Sequence, residues 1–201
     1  PALLRKIYLG KCLEDGNWPA IRKDLDKKPV EDIKGNSNEN NILEILRKYG
    51  IEIDESNNKG EDKENNTSQG NIRKVAVKVW GTGSPLREFM YSLDMAAACV
   101  FIMENVDIGN IIKLNQPDAD QKGYHTPHFL NIGTGEEISI KDLALRIKRL
   151  TGFRGEIIFD PSKPDGTMRK TIDIGLLKKL GYKHQFNLND GLAETYSSYL
   201  K

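Results

Sequence analysis

The chain has 201 residues, with 30 lysines and arginines against 29 aspartates and glutamates. That near balance argues against a general nucleic-acid or membrane-surface role, which would gather a basic excess on one face. No apolar run approaches 18 residues and no signal peptide opens the sequence, so a cytoplasmic protein with no membrane partner is expected. The length suits one domain with a real core and an appended segment.

Residues 1 to about 14 predict an amphipathic helix, with proline at its start and Leu4, Ile7, Tyr8 and Cys12 at helical spacing. Arg5 and Lys6 fall on the polar side, where a solvated face is the plain reading. From about Asp15 to Asn71 the composition shifts to Asn, Lys, Asp, Glu and Gly. Within this stretch only Asn41 to Tyr49 reads as a helix, capped by Asn41, stopped by Gly50 and striped by Ile42, Ile45, Leu46 and Tyr49. Residues 55–70 contain almost nothing apolar and predict a mobile loop, the whole stretch reading as an insertion that decorates the surface.

A strand follows, with Val75, Val77 and Val79 alternating, and breaks at the turn Gly81-Thr82-Gly83-Ser84-Pro85. The turn leaves Trp80 at the strand end and delivers Arg87 shortly after. An aromatic face beside a guanidinium suits a flat base with phosphates, while an edge-of-core aromatic and a surface ion pair are the bland alternatives. A helix from Ser92, its proposed cap, should bury Met95, Ala98, Cys99, Ile102 and Val106. His128 to Ile132 predicts a strand ending in Gly133-Thr134-Gly135, a glycine pair that makes a tight turn rather than a full phosphate loop. Ser139 caps a helix striped by Ile140, Leu143, Ala144, Ile147 and Leu150 and ended by Gly152.

A strand at about Glu156 to Phe159 leads into a loop, Asp160 to Lys170, kept irregular by two prolines and a glycine. Lys163, Arg169 and Lys170 supply cations there, and Asp165 can accept two ribose hydroxyls; an ordinary charged turn is the alternative. Asp173 caps a short helix through Leu180, and Asn187 to Leu200 forms the closing helix. Cys12 and Cys99 read as reduced core thiols, and the three histidines, His125, His128 and His184, lack zinc spacing, so no metal is expected.

Three blocks carry a resemblance: Val79-Trp80-Gly81-Thr82-Gly83-Ser84-Pro85-Leu86-Arg87-Glu88-Phe89 with Asp94-Met95-Ala96-Ala97-Ala98, then Asn131 to Ile140, then Phe159 to Lys170. In this order they resemble the GDP-L-fucose synthases, epimerase-reductases of the extended short-chain dehydrogenase family. The resemblance covers the chain except about 15–71. It implies an α/β fold, a small mixed sheet with flanking helices, forming one C-terminal substrate-binding domain over residues 1–201.

It also implies that the complete enzyme converts GDP-4-keto-6-deoxy-D-mannose to GDP-L-fucose by epimerisation and NADPH-dependent reduction, as a homodimer. The substrate-binding residues it implies are Lys6, Trp80, Arg87, Asp165 and Lys170. The glycine-rich loop, the Ser-Tyr-Lys set and the Cys/His pair of the family are not in this sequence. The chain, opening at Pro1, is therefore expected to be a piece without its Rossmann half, with no catalytic or cofactor-binding residue and no activity alone. Another nucleotide-sugar epimerase or dehydratase of the superfamily, or a non-catalytic nucleotide-binding module, stay open beside this reading.

Overall fold

The computed structural model describes residues 2–53, 74–114 and 129–201. In chain order the elements are α1 (Ala2–Glu14), α2 (Trp18–Lys27), α3 (Glu39–Lys48), β1 (Ile51–Ile53), β2 (Val75–Trp80), β3 (Leu86–Glu88), α4 (Ser92–Asn105), α5 (Ile108–Leu114), β4 (Glu137–Ser139), α6 (Ile140–Thr151), β5 (Glu156–Asp160), β6 (Arg169–Lys170), α7 (Gly175–Lys179) and α8 (Leu188–Leu200). This is the mixed α/β class expected, with small sheets and flanking helices. Where the sequence suggests one domain, the chain divides into two compact units. One is Pro1–Ser84 with Ile140–Gly166, the other Pro85–Ser139 with Thr167–Lys201.

The first unit is built on the sheet β1-β2-β5. Strand β2 runs parallel to β5, with Trp80 opposite Asp160, and antiparallel to β1, with Ile51 opposite Val77. Val75 and Val77, on one face of β2, are buried with Ile7 and Leu13 of α1. Removing each such side chain from water contributes about 1.5–3 kcal/mol.

Residues 15–53 are not the surface decoration that their composition predicts. Helix α2 buries Ile21 and Leu25, α3 buries Ile42, Ile45 and Leu46, and β1 extends the sheet through Ile51. Asn17 caps α2 by accepting from the Ala20 amide. Asn38, rather than Asn41, caps α3 and accepts from the Asn41 amide at 2.9 Å. Arg5 is not solvated either: its Nε donates to the buried carboxylate of Asp24 at 2.9 Å, tying α1 to α2. The predicted mobile loop at 55–70 lies outside the described residues.

The second unit holds the sheet β4-β3-β6, in which β3 is antiparallel to β4 and parallel to β6. Helix α4 departs from the predicted orientation. Its inward residues are Asp94 and Ala98, while Met95 and Cys99 are exposed, as are Leu93, Val100 and Met103. Asp94 sets this orientation. Its two carboxylate oxygens accept from the amides of Gln185 and Phe186 at 2.8 and 2.9 Å, and its carbonyl accepts from the Tyr182 hydroxyl at 2.7 Å. A helix apolar on nearly every side offers no single stripe, so these polar bonds decide which side faces inward. Ser92 is the first helical residue and Tyr91 the cap, without a side-chain bond.

The strand predicted at His128 to Ile132 is also corrected. Residues 129–136 are irregular, and His128 lies outside the described residues. Within 129–132 Phe129 is exposed and the other three residues are only partly buried, and Asn131 in their midst donates its side-chain amide to the Asp173 carbonyl instead of joining a ladder. Helices α6, α7 and α8 fall where expected, but the cap of α7 is Ile174, without a side-chain bond, rather than Asp173, which accepts from the Gly175 amide at 2.7 Å just before the helix. Among the described residues no single helix is long and apolar enough to cross a membrane.

Candidate functional site

In the first unit β2 ends at Trp80, whose side of the sheet is open enough to leave it 74% exposed. The Lys163 ammonium stands 5.9 Å from the centre of its ring. An exposed indole beside a cation is a surface on which an electron-rich planar ring can stack. The turn after Trp80 is tightly held. Gly81 has φ +82° and donates to the Asp160 carbonyl at 2.9 Å. Asp165 accepts from the Thr82 amide at 2.8 Å and from the Thr82 hydroxyl at 2.6 Å.

Asp165 therefore fastens the loop after β5 to the turn after β2. Each of its oxygens retains a second lone pair for a hydroxyl donor. A side chain at Gly81 would place its Cβ 2.2 Å from Asp165 Oδ1, so the carboxylate can sit there only against glycine. Asp160 is held below the usual carboxylate range, first by the Ser162 hydroxyl and then by the Ser162 amide.

Lys6 is half-buried, and its ammonium donates to the Lys78 carbonyl on β2. Burial pushes its pKa down, partly offset by the nearby Glu52 carboxylate. Glu52 itself pairs with Lys78 Nζ at 2.9 Å. Lys6 thus braces the strand that carries Trp80, through a role in the fold that its sequence position does not reveal.

In the second unit, Arg87 lies opposite Lys170 on one side and Ile138 on the other. Paired residues in a sheet point to the same face, so Arg87 and Lys170 stand side by side. Arg87 is half-buried and its Nη1 donates to the Leu86 carbonyl at 2.6 Å. Among the described residues neither Arg87 nor Lys170 forms an ion pair. Arg169, its neighbour in the same loop, lies on the opposite face and pairs with Glu137 at 2.6 Å. That bond draws Glu137 below the ordinary glutamate value.

Two adjacent cations without a carboxylate partner suit a diphosphate, the guanidinium offering a two-pronged donor and the ammonium a point charge.

The Gly133-Thr134-Gly135 turn holds an anion of the chain's own. Glu88 Oε1 accepts from the Thr134 amide and, at 2.9 Å, from the Gly135 amide. Sequence reasoning missed Glu88; the signal available was a glutamate in a short strand followed, in the next block, by a Gly-Thr-Gly able to present its amides.

Comparison with known proteins adds the family context. The sequence model of the NAD dependent epimerase/dehydratase family matches residues 55–114. GDP-L-fucose synthase 1 of Arabidopsis thaliana is 42% identical over 125 residues, which is 62% of this chain and 33% of that protein. The crystal structure of a GDP-6-OMe-4-keto-L-xylo-heptose reductase from Campylobacter jejuni superposes with TM-score 0.73 at 34% identity, covering 99% of this chain and 46% of that one. A GDP-D-glycero-L-gluco-heptose synthase of the same organism, crystallised in the presence of NADPH, gives TM-score 0.73 at 32% identity, covering 100% and 46%. The chain thus spans a third of the length of the curated relative and under half of each structure.

Proposed function

We propose, for a chain homologous to the GDP-L-fucose synthases, that it forms the nucleotide-sugar-binding part of a GDP-sugar epimerase-reductase. The Arg87–Lys170 pair carries this reading. Two like charges placed side by side by strand register repel, and a bound diphosphate relieves that repulsion. In the first unit, taken by itself, we assign Trp80 to stacking on a planar base and Asp165 to accepting a sugar hydroxyl. Lys6 supports this from behind by bracing β2. Binding energy drawn from a remote nucleotide can position the reacting sugar, which is how residues that touch no reacting atom raise a rate.

No residue of this chain is assigned a catalytic role. NADPH supplies a hydride in the reaction that the family performs, and we place its binding in a dinucleotide-binding half outside this sequence, in an enzyme that works as a homodimer. The test is calorimetric titration with GDP. Arg87→Ala and Lys170→Ala should each weaken binding about tenfold, the worth of one charge-assisted contact. Unchanged affinity in both variants would overturn the assignment.

One observation favours a second reading, in which the sugar is a heptose. The Campylobacter GDP-heptose enzymes cover essentially the whole chain, residues 15–53 included, whereas the Arabidopsis fucose synthase matches 62% of it. The α2–α3–β1 segment would then be a shared feature of heptose-using enzymes. Competition between a GDP-heptose and GDP-4-keto-6-deoxy-D-mannose decides. Tighter binding of the heptose supports the second reading, and tighter binding of the deoxyhexose removes it.

A further inference from the structure

Strand β3 has three residues, and its partner β6 has two. Ladders this short contain few hydrogen bonds, so they fix register weakly on their own. Register nevertheless decides the chemistry of the second unit. Arg87 shares a face with Lys170, while Leu86 and Glu88 share the other with Arg169 and Glu137. A slip of one residue would turn Arg87 onto the face of Arg169 and away from Lys170.

Something must hold the register, and Glu88 is placed to do so. It is the last residue of β3, and its side chain reaches the turn that leads into β4. There Oε1 takes the Thr134 and Gly135 amides, with the Thr134 hydroxyl at 3.4 Å. Thr134 in turn accepts from the Glu136 amide at 3.1 Å, which stiffens the turn just before β4 begins. The fit is close: a Cβ on Gly133 would lie 2.1 Å from Glu88 Oε1 and 2.9 Å from Ile172 Cδ1. The other oxygen, Oε2, is buried and has no hydrogen-bond partner among the described residues. The carboxylate is therefore spent on the turn through a single oxygen, and a buried acceptor is kept there at a cost in desolvation.

We propose that Glu88, seated in the 133–135 turn, is a positioning residue that locks the register of β3 against β4 and thereby keeps Arg87 beside Lys170. This rests on the reading that Arg87 and Lys170 hold a diphosphate. The clamp makes no contact with ligand and acts only through Arg87.

Three substitutions test it: Glu88→Ala, which removes the anchor; Glu88→Gln, which keeps one acceptor oxygen; and Gly133→Ala, which blocks the seat from the other side. Cross-strand nuclear Overhauser effects from Arg87 to Lys170 and Ile138 are read without ligand, and GDP affinity is read separately. Glu88→Ala and Gly133→Ala should each abolish these cross-strand signals and weaken GDP about tenfold, while Glu88→Gln stays within about threefold of the parent. The double variant Glu88→Ala/Gly133→Ala should be no worse than the weaker single one, because both remove one interaction.

Retention of the Arg87–Lys170 signals in Glu88→Ala overturns the clamp. So does loss of every signal of the second unit in Gly133→Ala and Glu88→Gln alike, which would mark a general fold contact. If instead the signals vanish as expected and GDP affinity does not change in Arg87→Ala, the clamp stands and the diphosphate assignment falls.

Discussion

Replacing Gly81 by alanine should strike the turn that joins the Trp80 strand to the Asp165 loop. Two costs add. Alanine at φ +82° meets the left-handed penalty, about 1–1.5 kcal/mol. Its Cβ would also come to 2.2 Å from Asp165 Oδ1, forcing the carboxylate off the Thr82 amide and hydroxyl. Those two bonds lie at a half-exposed carboxylate, and their loss is worth about 1–1.5 kcal/mol together. The sum is about 2–3 kcal/mol.

Both tryptophans, Trp18 and Trp80, belong to the first unit, so urea unfolding followed by tryptophan fluorescence reports this unit. The decisive comparison repeats the substitution in an Asp165→Ala background. With the carboxylate gone only backbone strain remains, and Gly81→Ala should then cost about 1 kcal/mol. An equal cost in both backgrounds would refute the steric link, and a cost below about 0.5 kcal/mol in the parent would refute the whole argument.

Other outcomes follow from single contacts. Glu14 is buried and accepts from the Arg154 amide at 3.0 Å, so Glu14→Ala should lower stability by about 2 kcal/mol in the same urea assay, while Arg154→Ala, which keeps that amide, should cost less than half as much. The Glu137 carboxyl, followed by carbon NMR, should titrate below the ordinary glutamate value and return toward it in Arg169→Ala. Because its folded pKa is depressed, the stability it contributes is present above the unfolded value of about 4.3 and is lost as pH falls through the folded one.

Lys6 follows the opposite logic. Its folded pKa lies below the unfolded one, so the cost of burying its charge is present at neutral pH and is relieved as pH rises through the folded value. Nitrogen NMR should find Lys6 Nζ titrating below its ordinary value, and Glu52→Gln should lower it further, since Glu52 raises it. A midpoint unmoved or raised by Glu52→Gln would contradict the arrangement.

The elements with one clear period were legible in the sequence. β2 alternates, α6 carries a full stripe between a serine and a glycine, and α8 is capped by Asn187, whose side chain accepts from the Asn189 and Asp190 amides. Residues 15–53 were not legible because α2 reveals its inward side through little more than Ile21 and Leu25, set among the five charged residues Arg22, Lys23, Asp24, Asp26 and Lys27, and only tertiary packing shows that it is core. The orientation of α4 escaped because a buried aspartate, not an apolar stripe, chooses it.

At the candidate site, strand position placed Trp80, and the two glycines announced the turn. The pairing of Arg87 with Lys170 was hidden, since a register links residues 83 positions apart that no local pattern connects. Glu88 was hidden for the same reason: its partners are the amides of a turn 46 residues on.

The central claim, that this chain binds the guanosine diphosphate end of a nucleotide sugar, is tested most directly by a two-dimensional amide and side-chain NMR titration with GDP and, separately, with UDP. The account predicts shifts at the Trp80 indole, the Arg87 Nε–H and the Lys170 amide that appear with GDP and are much smaller with UDP. Equal responses to the two nucleotides, or GDP shifts confined to residues elsewhere, would contradict it.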